Sequence, residues 1–218
     1  MIIIYGEPIS HGHHLINCGV KNFLVTAYNR TGGKLVSTVN SFMNNFPDYN
    51  FSECNLLIDS GAFSECLNFE KQVASLFNSV YYINLDKIPG RKGMDRATRR
   101  LYLSEAQDVS FENYRKLGAE LGYKKILPVL HYDEEPSLVM QYATYNSEYI
   151  CLAPDNSIDR YGDSPWLTQV WIKKPEKMKV HGLAVTGKEV NFNYPFYSVD
   201  STSWLLPART GKTFYWDL

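Results

Sequence analysis

The sequence has no apolar run approaching the ~20 residues that a membrane-spanning helix needs. Its opening MIIIY turns polar too soon to be the core of a signal peptide. The expectation is a cytoplasmic protein without a membrane partner. Cysteine is scarce. Cys18, Cys54, Cys66 and Cys151 form no CxxC pair and no zinc-ribbon spacing, which excludes a zinc ribbon and suits reduced core thiols, as in YICLAP. No GxGxxG or GxxxxGKS/T follows an apolar run, so a nucleotide cofactor has no cradle and no cofactor is expected. An excess of one charge is missing too. With 22 Lys and Arg against 23 Asp and Glu, the formal net charge is -1. That balance neither demands nor excludes nucleic acid, and local patches must decide.

What is present is a succession of short apolar runs: 1–6, 23–28, 55–61, 81–86, 125–132, 149–154, 179–185 and 196–201. Helical spacing separates most of them. Segments 35–46 and 69–80 place apolar residues three and four apart. Segment 110–123 begins with Ser110 as a candidate N-cap, and 134–146 and 164–178 each carry an early proline. Strand alternating with helix predicts parallel strands joined by right-handed crossovers. About eight strands in 218 residues favour a compact α/β chain, a (β/α)8 TIM-type barrel spanning 1–218 as one domain. An open doubly wound sheet is the alternative.

A barrel of this kind carries its active site at the carboxyl ends of the strands. The residues there are Asp59 in LLIDSGAFS, Asp86 in YYINLDKIPG, His131 in LPVLHYDEE, Gly182-Leu183-Ala184 in VHGLAVTG, and Asp200 in FYSVDSTSW. Any one of these aspartates alone would be a cap or turn residue. Together they suit substitution at an anomeric carbon, where one carboxylate meets the oxocarbenium-like centre and another handles protons. The small residues Ser60 and Gly61 after Asp59 allow backbone to approach a flat ligand. The set holds a single histidine, so a catalytic zinc site is not favoured and no metal is expected. His11, His13 and His14 fit no ligand spacing and are assigned to a polar loop. Segment 87–100 holds Lys87, Arg91, Lys92, Arg96, Arg99 and Arg100 against Asp95 alone. A flexible loop of this charge beside Asp86 would hold phosphates around a flipped nucleotide. The second basic stretch, IKKPEKMK (172–179), is assigned to a solvated helix end on the opposite face.

These segments bear a resemblance. LIDSGAFS resembles the DSGGFQ signature of the tRNA-guanine transglycosylase superfamily, and NLDKIPG resembles its second aspartate segment. LPVLHY stands where the family has a strand ending in glutamine-glycine. HGLAVTG resembles the glycine-leucine-alanine loop, and SVDSTSW falls at the nucleophilic aspartate. The five occur in the family's order over roughly 55 to 204. SVDSTSW is similar to the phage and archaeal-type branch, which includes the DNA 7-deazaguanine transglycosylases. The resemblance implies that Asp200 attacks C1′ of the target nucleoside and that Asp59 is the general acid/base. It implies that Asp86 reads the base edge, and that Gly182, Leu183 and Ala184 meet the base through backbone. Ser60, Gly61 and Phe63 would line the same pocket.

The departures carry information as well. The family's tRNA enzymes hold a three-cysteine, one-histidine zinc site after the nucleophile, whereas no cysteine follows Cys151. The expectation is a barrel lacking that zinc subdomain and its tRNA contacts, with DNA favoured over tRNA. His131 stands in place of the guanine-reading glutamine. The function expected is cleavage of a nucleobase N-glycosidic bond by an aspartate nucleophile. Excision is preferred: a DNA glycosylase acting by base flipping, with modified phage DNA as a candidate substrate in antiviral defence. The alternatives are base exchange by a 7-deazaguanine transglycosylase, a barrel enzyme on a free nucleoside or sugar, and a non-catalytic base-binding module.

Overall fold

Nine strands among the described residues form one parallel sheet. They are β1 (Ile2–Gly6), β2 (Asn22–Thr26), β3 (Asn55–Asp59), β4 (Ser79–Ile83), β5 (Ile126–Leu127), β6 (Val129–His131), β7 (Tyr149–Ala153), β8 (Lys179–Gly182) and β9 (Ser198–Ser201). The computed structural model describes residues 1–6, 8–26, 34–59, 62–91, 94–154, 164–185 and 187–201. The strand order is β5-β4-β3-β2-β1-β9-β8-β7-β6. Its two end strands, β5 and β6, are separated in the chain by Pro128 alone. The sheet therefore curls into a nearly closed, TIM-like α/β barrel. Pro128 has no N–H to give a ladder, but its carbonyl accepts from Cys151 N at 2.8 Å.

Side chains alternate between the two faces of each strand. One apolar cluster consists of strand residues: Ile4, Leu24, Leu57, Ile83, Leu127, Val129, Tyr149 and Cys151. It fills the inside of the barrel. The intervening residues, such as Phe23, Ile58, Tyr82 and Val199, face outward. They pack on the helices α1 (Pro8–Asn17), α2 (Leu35–Asn44), α3 (Phe63–Gln72), α5 (Leu103–Leu121), α6 (Leu138–Thr144), α7 (Pro165–Lys173) and α8 (Lys188–Asn193), whereas the short α4 (Arg96–Arg100) has no buried residue. Burying one such aliphatic or aromatic side chain stabilises by about 1.5–3 kcal/mol. An asparagine ladder at the strand starts fixes the register. Asn55 Nδ2 donates to Asn22 Oδ1 and Asn78 Nδ2 to Asn55 Oδ1, both at 2.8 Å. That register sets Thr26 against Asp59, and Asp59 against Ile83, at the carboxyl ends.

Each expected apolar run overlaps a strand, but four local expectations need correction. The segment with His13 and His14 is helix α1, not a loop; Gly12 lies so close to Phe42 of α2 that a Cβ would meet its ring at 2.2 Å. Ser110 is no N-cap. It sits buried inside α5, where its Oγ accepts from Lys87 N at 2.8 Å. The helix expected over 69–80 runs over Phe63–Gln72 instead, and a 3-10 turn at Ala74–Leu76 delivers Phe77 to the core. The basic segment is not wholly loop, because Asp95 Oδ1 accepts from Thr98 N at 3.0 Å and caps α4. No helix among the described residues is long and apolar enough to cross a membrane.

Candidate active site at the barrel mouth

Asp59 ends β3, Asp86 follows β4, His131 ends β6 and Asp200 lies near the end of β9. In a parallel barrel these positions share one rim. The charges of Asp86 and Asp200 reach Asp59 through space. Burial raises the Asp59 carboxyl above the ordinary aspartate range, and the charges of Asp86 and Asp200 raise it further. Cys151, fully buried on β7, has its thiol raised by burial and then by Asp200, Asp86 and Asp59 together. Cys151 thus underlies all three acids.

Asp86 and His131 are joined directly. His131 Nε2 lies 2.6 Å from Asp86 Oδ2, with both side chains largely shielded. Glu134, buried and not anticipated from the sequence, accepts from His131 N at 2.7 Å. Burial pushes the Glu134 carboxyl up to about 7, against the lowering effect of that hydrogen bond. Glu134 O in turn accepts from Trp166 Nε1 at 2.8 Å. The turn that follows His131 is therefore tied down by one carboxyl group and one indole.

Asp200 is held from β8 and the turn after it. Its Oδ1 accepts from Ala184 N at 2.9 Å and lies 3.2 Å from His181 Nε2. Ala184 has φ 55°, a left-handed conformation uncommon for a residue with a Cβ. His181 is a second mouth-directed histidine. In the sequence it is concealed, because VHGLAV reads as an apolar run.

No protein-family model matches this chain, and no curated protein matches it either. The site stands on its own geometry.

The remaining expected site residues divide three ways. Gly182 is within the β8 ladder, and a Cβ there would meet Val185 at 2.9 Å and Phe196 at 3.0 Å, so close packing accounts for the glycine. The N–H groups of the following turn are engaged as well, Leu183 N with Leu152 O at 2.9 Å and Ala184 N with Asp200. Phe63 packs partly against the outer core. Ser60, Gly61, Lys92 and the side chain of His11 lie outside the described residues. His13 and His14 are exposed on α1, their rings 3.8 Å apart.

The basic residues are largely paired. Arg96 grips Asp133 with Nε to Oδ2 at 2.7 Å and Nη2 to Oδ1 at 2.5 Å, and Arg100 adds a bond at 3.3 Å. Arg96 and Arg99 both stand over the Tyr132 ring, at 5.0 and 5.9 Å. Lys87 pairs with Glu105, and Arg91 is exposed. Helix α4 is thus fastened to the residues that follow His131. The spacing of arginines along the chain could not reveal this, because Asp133 lies 37 residues from Arg96.

Proposed function

We propose that this chain is a (β/α)8 barrel, with β5 and β6 forming one stave, that cleaves the N-glycosidic bond of a nucleobase in nucleic acid. DNA is preferred over tRNA, and the outcome is excision. The observation that carries the reading is the convergence of Asp59, Asp86 and Asp200 on one rim, with Asp59 made reluctant to ionise by its burial and its two acidic neighbours. Two carboxylates whose surroundings set them to different tasks are what glycoside chemistry requires. The ordered resemblance of the five segments to the tRNA-guanine transglycosylase superfamily supports the same assignment.

In this reading the two donors to Asp200 among the described residues meet Oδ1, and Oδ2 attacks C1′. The C1′–N bond breaks as the C1′–O bond forms. The bonding pair goes to the leaving base, which takes the Asp59 proton. Water then attacks C1′ of the glycosyl-enzyme and gives a proton back to Asp59. Asp200 leaves as carboxylate, and an abasic sugar remains. Asp86, its Oδ2 facing His131, meets the polar edge of the base. The test is incubation of the protein with varied DNA and RNA, modified phage DNA included, followed by nucleoside mass spectrometry. Free base and abasic sites are expected. A new base in the strand would mean exchange, and turnover of free nucleosides alone would mean a small-molecule enzyme.

A further inference from the structure

Below Asp200 a chain of polar side chains descends through the inside of the barrel. His181 Nε2 faces Asp200 Oδ1 at 3.2 Å, and His181 Nδ1 lies 2.7 Å from Ser198 Oγ. Ser198 Oγ is hydrogen-bonded to Tyr149 OH. His181 is 0% exposed, and Ser198 and Tyr149 are also buried. The strand register explains the alignment. His181 sits opposite Ser198, and Asp200 is two residues further along β9 on the same inward face. At the lower end, Tyr149 and Ser198 line a cavity of about 300 Å³ among the strand starts. The chain therefore spans the barrel from that cavity to the mouth.

A buried imidazole between a carboxylate and a hydroxyl has one polarity that suits every partner. A carboxylate only accepts, so Nε2 carries the hydrogen and donates to Asp200. Nδ1 then accepts from the Ser198 hydroxyl, whose oxygen accepts from Tyr149. The opposite polarity would aim the Nε2 lone pair at the Asp200 oxygen. The hydrogen bond made at one ring nitrogen selects the state of the other.

We infer that His181 is a positioning residue for Asp200, fixed as its Nε2–H tautomer from below by Ser198 and Tyr149. It holds the carboxylate by Oδ1 and so presents Oδ2 to the mouth. The inference rests on the proposed role of Asp200 as nucleophile, but its first test does not. Nitrogen-15 NMR of histidine-labelled protein reports the tautomer directly. The expected result is one buried imidazole with protonated Nε2 and bare Nδ1, absent from the spectrum of His181→Gln. A buried imidazole protonated on Nδ1, or on both nitrogens, at neutral pH would overturn it.

The second test uses base release. Tyr149→Phe keeps the ring and removes the far hydroxyl, and Ser198→Ala removes the donor to Nδ1. Loss of a hydrogen bond to a charged group corresponds to about ten- to a hundredfold in rate. His181→Gln should lose about that much in kcat with KM little changed, and Ser198→Ala and Tyr149→Phe successively less. Wild-type kcat in all three, beside an inactive Asp200→Asn, would sink the positioning role and leave the nucleophile standing. An active Asp200→Asn would sink the nucleophile itself, while the NMR result still decides the tautomer.

Discussion

Ala184 presents its N–H to Asp200 Oδ1 at 2.9 Å from a left-handed backbone with φ 55°. Glycine adopts that conformation without penalty, whereas a β-branched residue strains it. Ala184→Gly should stay within about 1 kcal/mol of wild type in chemical denaturation and keep its activity. Ala184→Val should cost about 1–3 kcal/mol and lose activity, because the donor to Asp200 is displaced. Equal behaviour of the two variants would detach the turn from the site.

Removal of a nucleophile takes away an interaction made only on the reaction path, so kcat should collapse while binding persists. Asp200→Asn is expected to be folded, to bind nucleic acid and to release no base. Asp59→Asn should be inactive as well, for want of a proton donor. The pH dependence has a definite sign. Asp59 donates only while protonated, and its raised pKa extends that form upward, so activity should fall as pH rises through that value. A rate that climbs with pH over the same range would assign the proton to another group.

Glu134 makes a prediction for stability. Its carboxyl titrates near 7 in the folded chain, from an ordinary 4.5. Between those values the folded state holds a proton that the unfolded chain releases, so this group's contribution declines as pH rises across the window. Glu134→Gln keeps an oxygen to accept from His131 N and removes the titration. The stability of the variant relative to wild type should therefore grow by up to about 3 kcal/mol between pH 4 and 8. A difference that stays flat with pH, measured by urea unfolding, would contradict it.

The arginines of α4 should separate by role. Arg96 is spent on Asp133, and its two bonds, together with Arg100, hold the Asp133 carboxyl below the usual range. Arg96→Gln should loosen the segment after His131 and lower stability. Arg99→Gln should instead weaken binding to DNA, reducing the slope of log affinity against log salt by about 1, the share of a single neutralised phosphate. An equal drop in slope for both variants would mean that Arg96 leaves Asp133 when nucleic acid binds.

The strands were legible because each lies in a short apolar run, and Asp59, Asp86, His131 and Asp200 were legible because they stand where such runs turn polar. His181 was hidden for the opposite reason. It lies within an apolar run, and what makes it polar in effect, Ser198 and Asp200 on β9, is 17 and 19 residues away. Glu134 was hidden beside Glu135. Only the fold distinguishes them, burying the first against His131 and leaving the second exposed to Lys173. The helix start misplaced by six residues has a similar origin. Val73, Ala74 and Phe77 continue an apolar spacing beyond α3 through a turn of another kind.

The interruption at Pro128 has a mechanical consequence. Below it the stave is laced to β4, through Ile126 and Leu127; above it the stave is laced to β7, through Val129, Leu130 and His131. The hoop is therefore completed at that point by the covalent chain itself, and among the described residues no ladder joins β6 to β4 above it. The Asp86–His131 bond joins the two sides there like a clasp. A ligand that takes the Asp86 carboxylate has to compete with His131 for it, at the one point where the hoop is closed by the chain and not by a ladder.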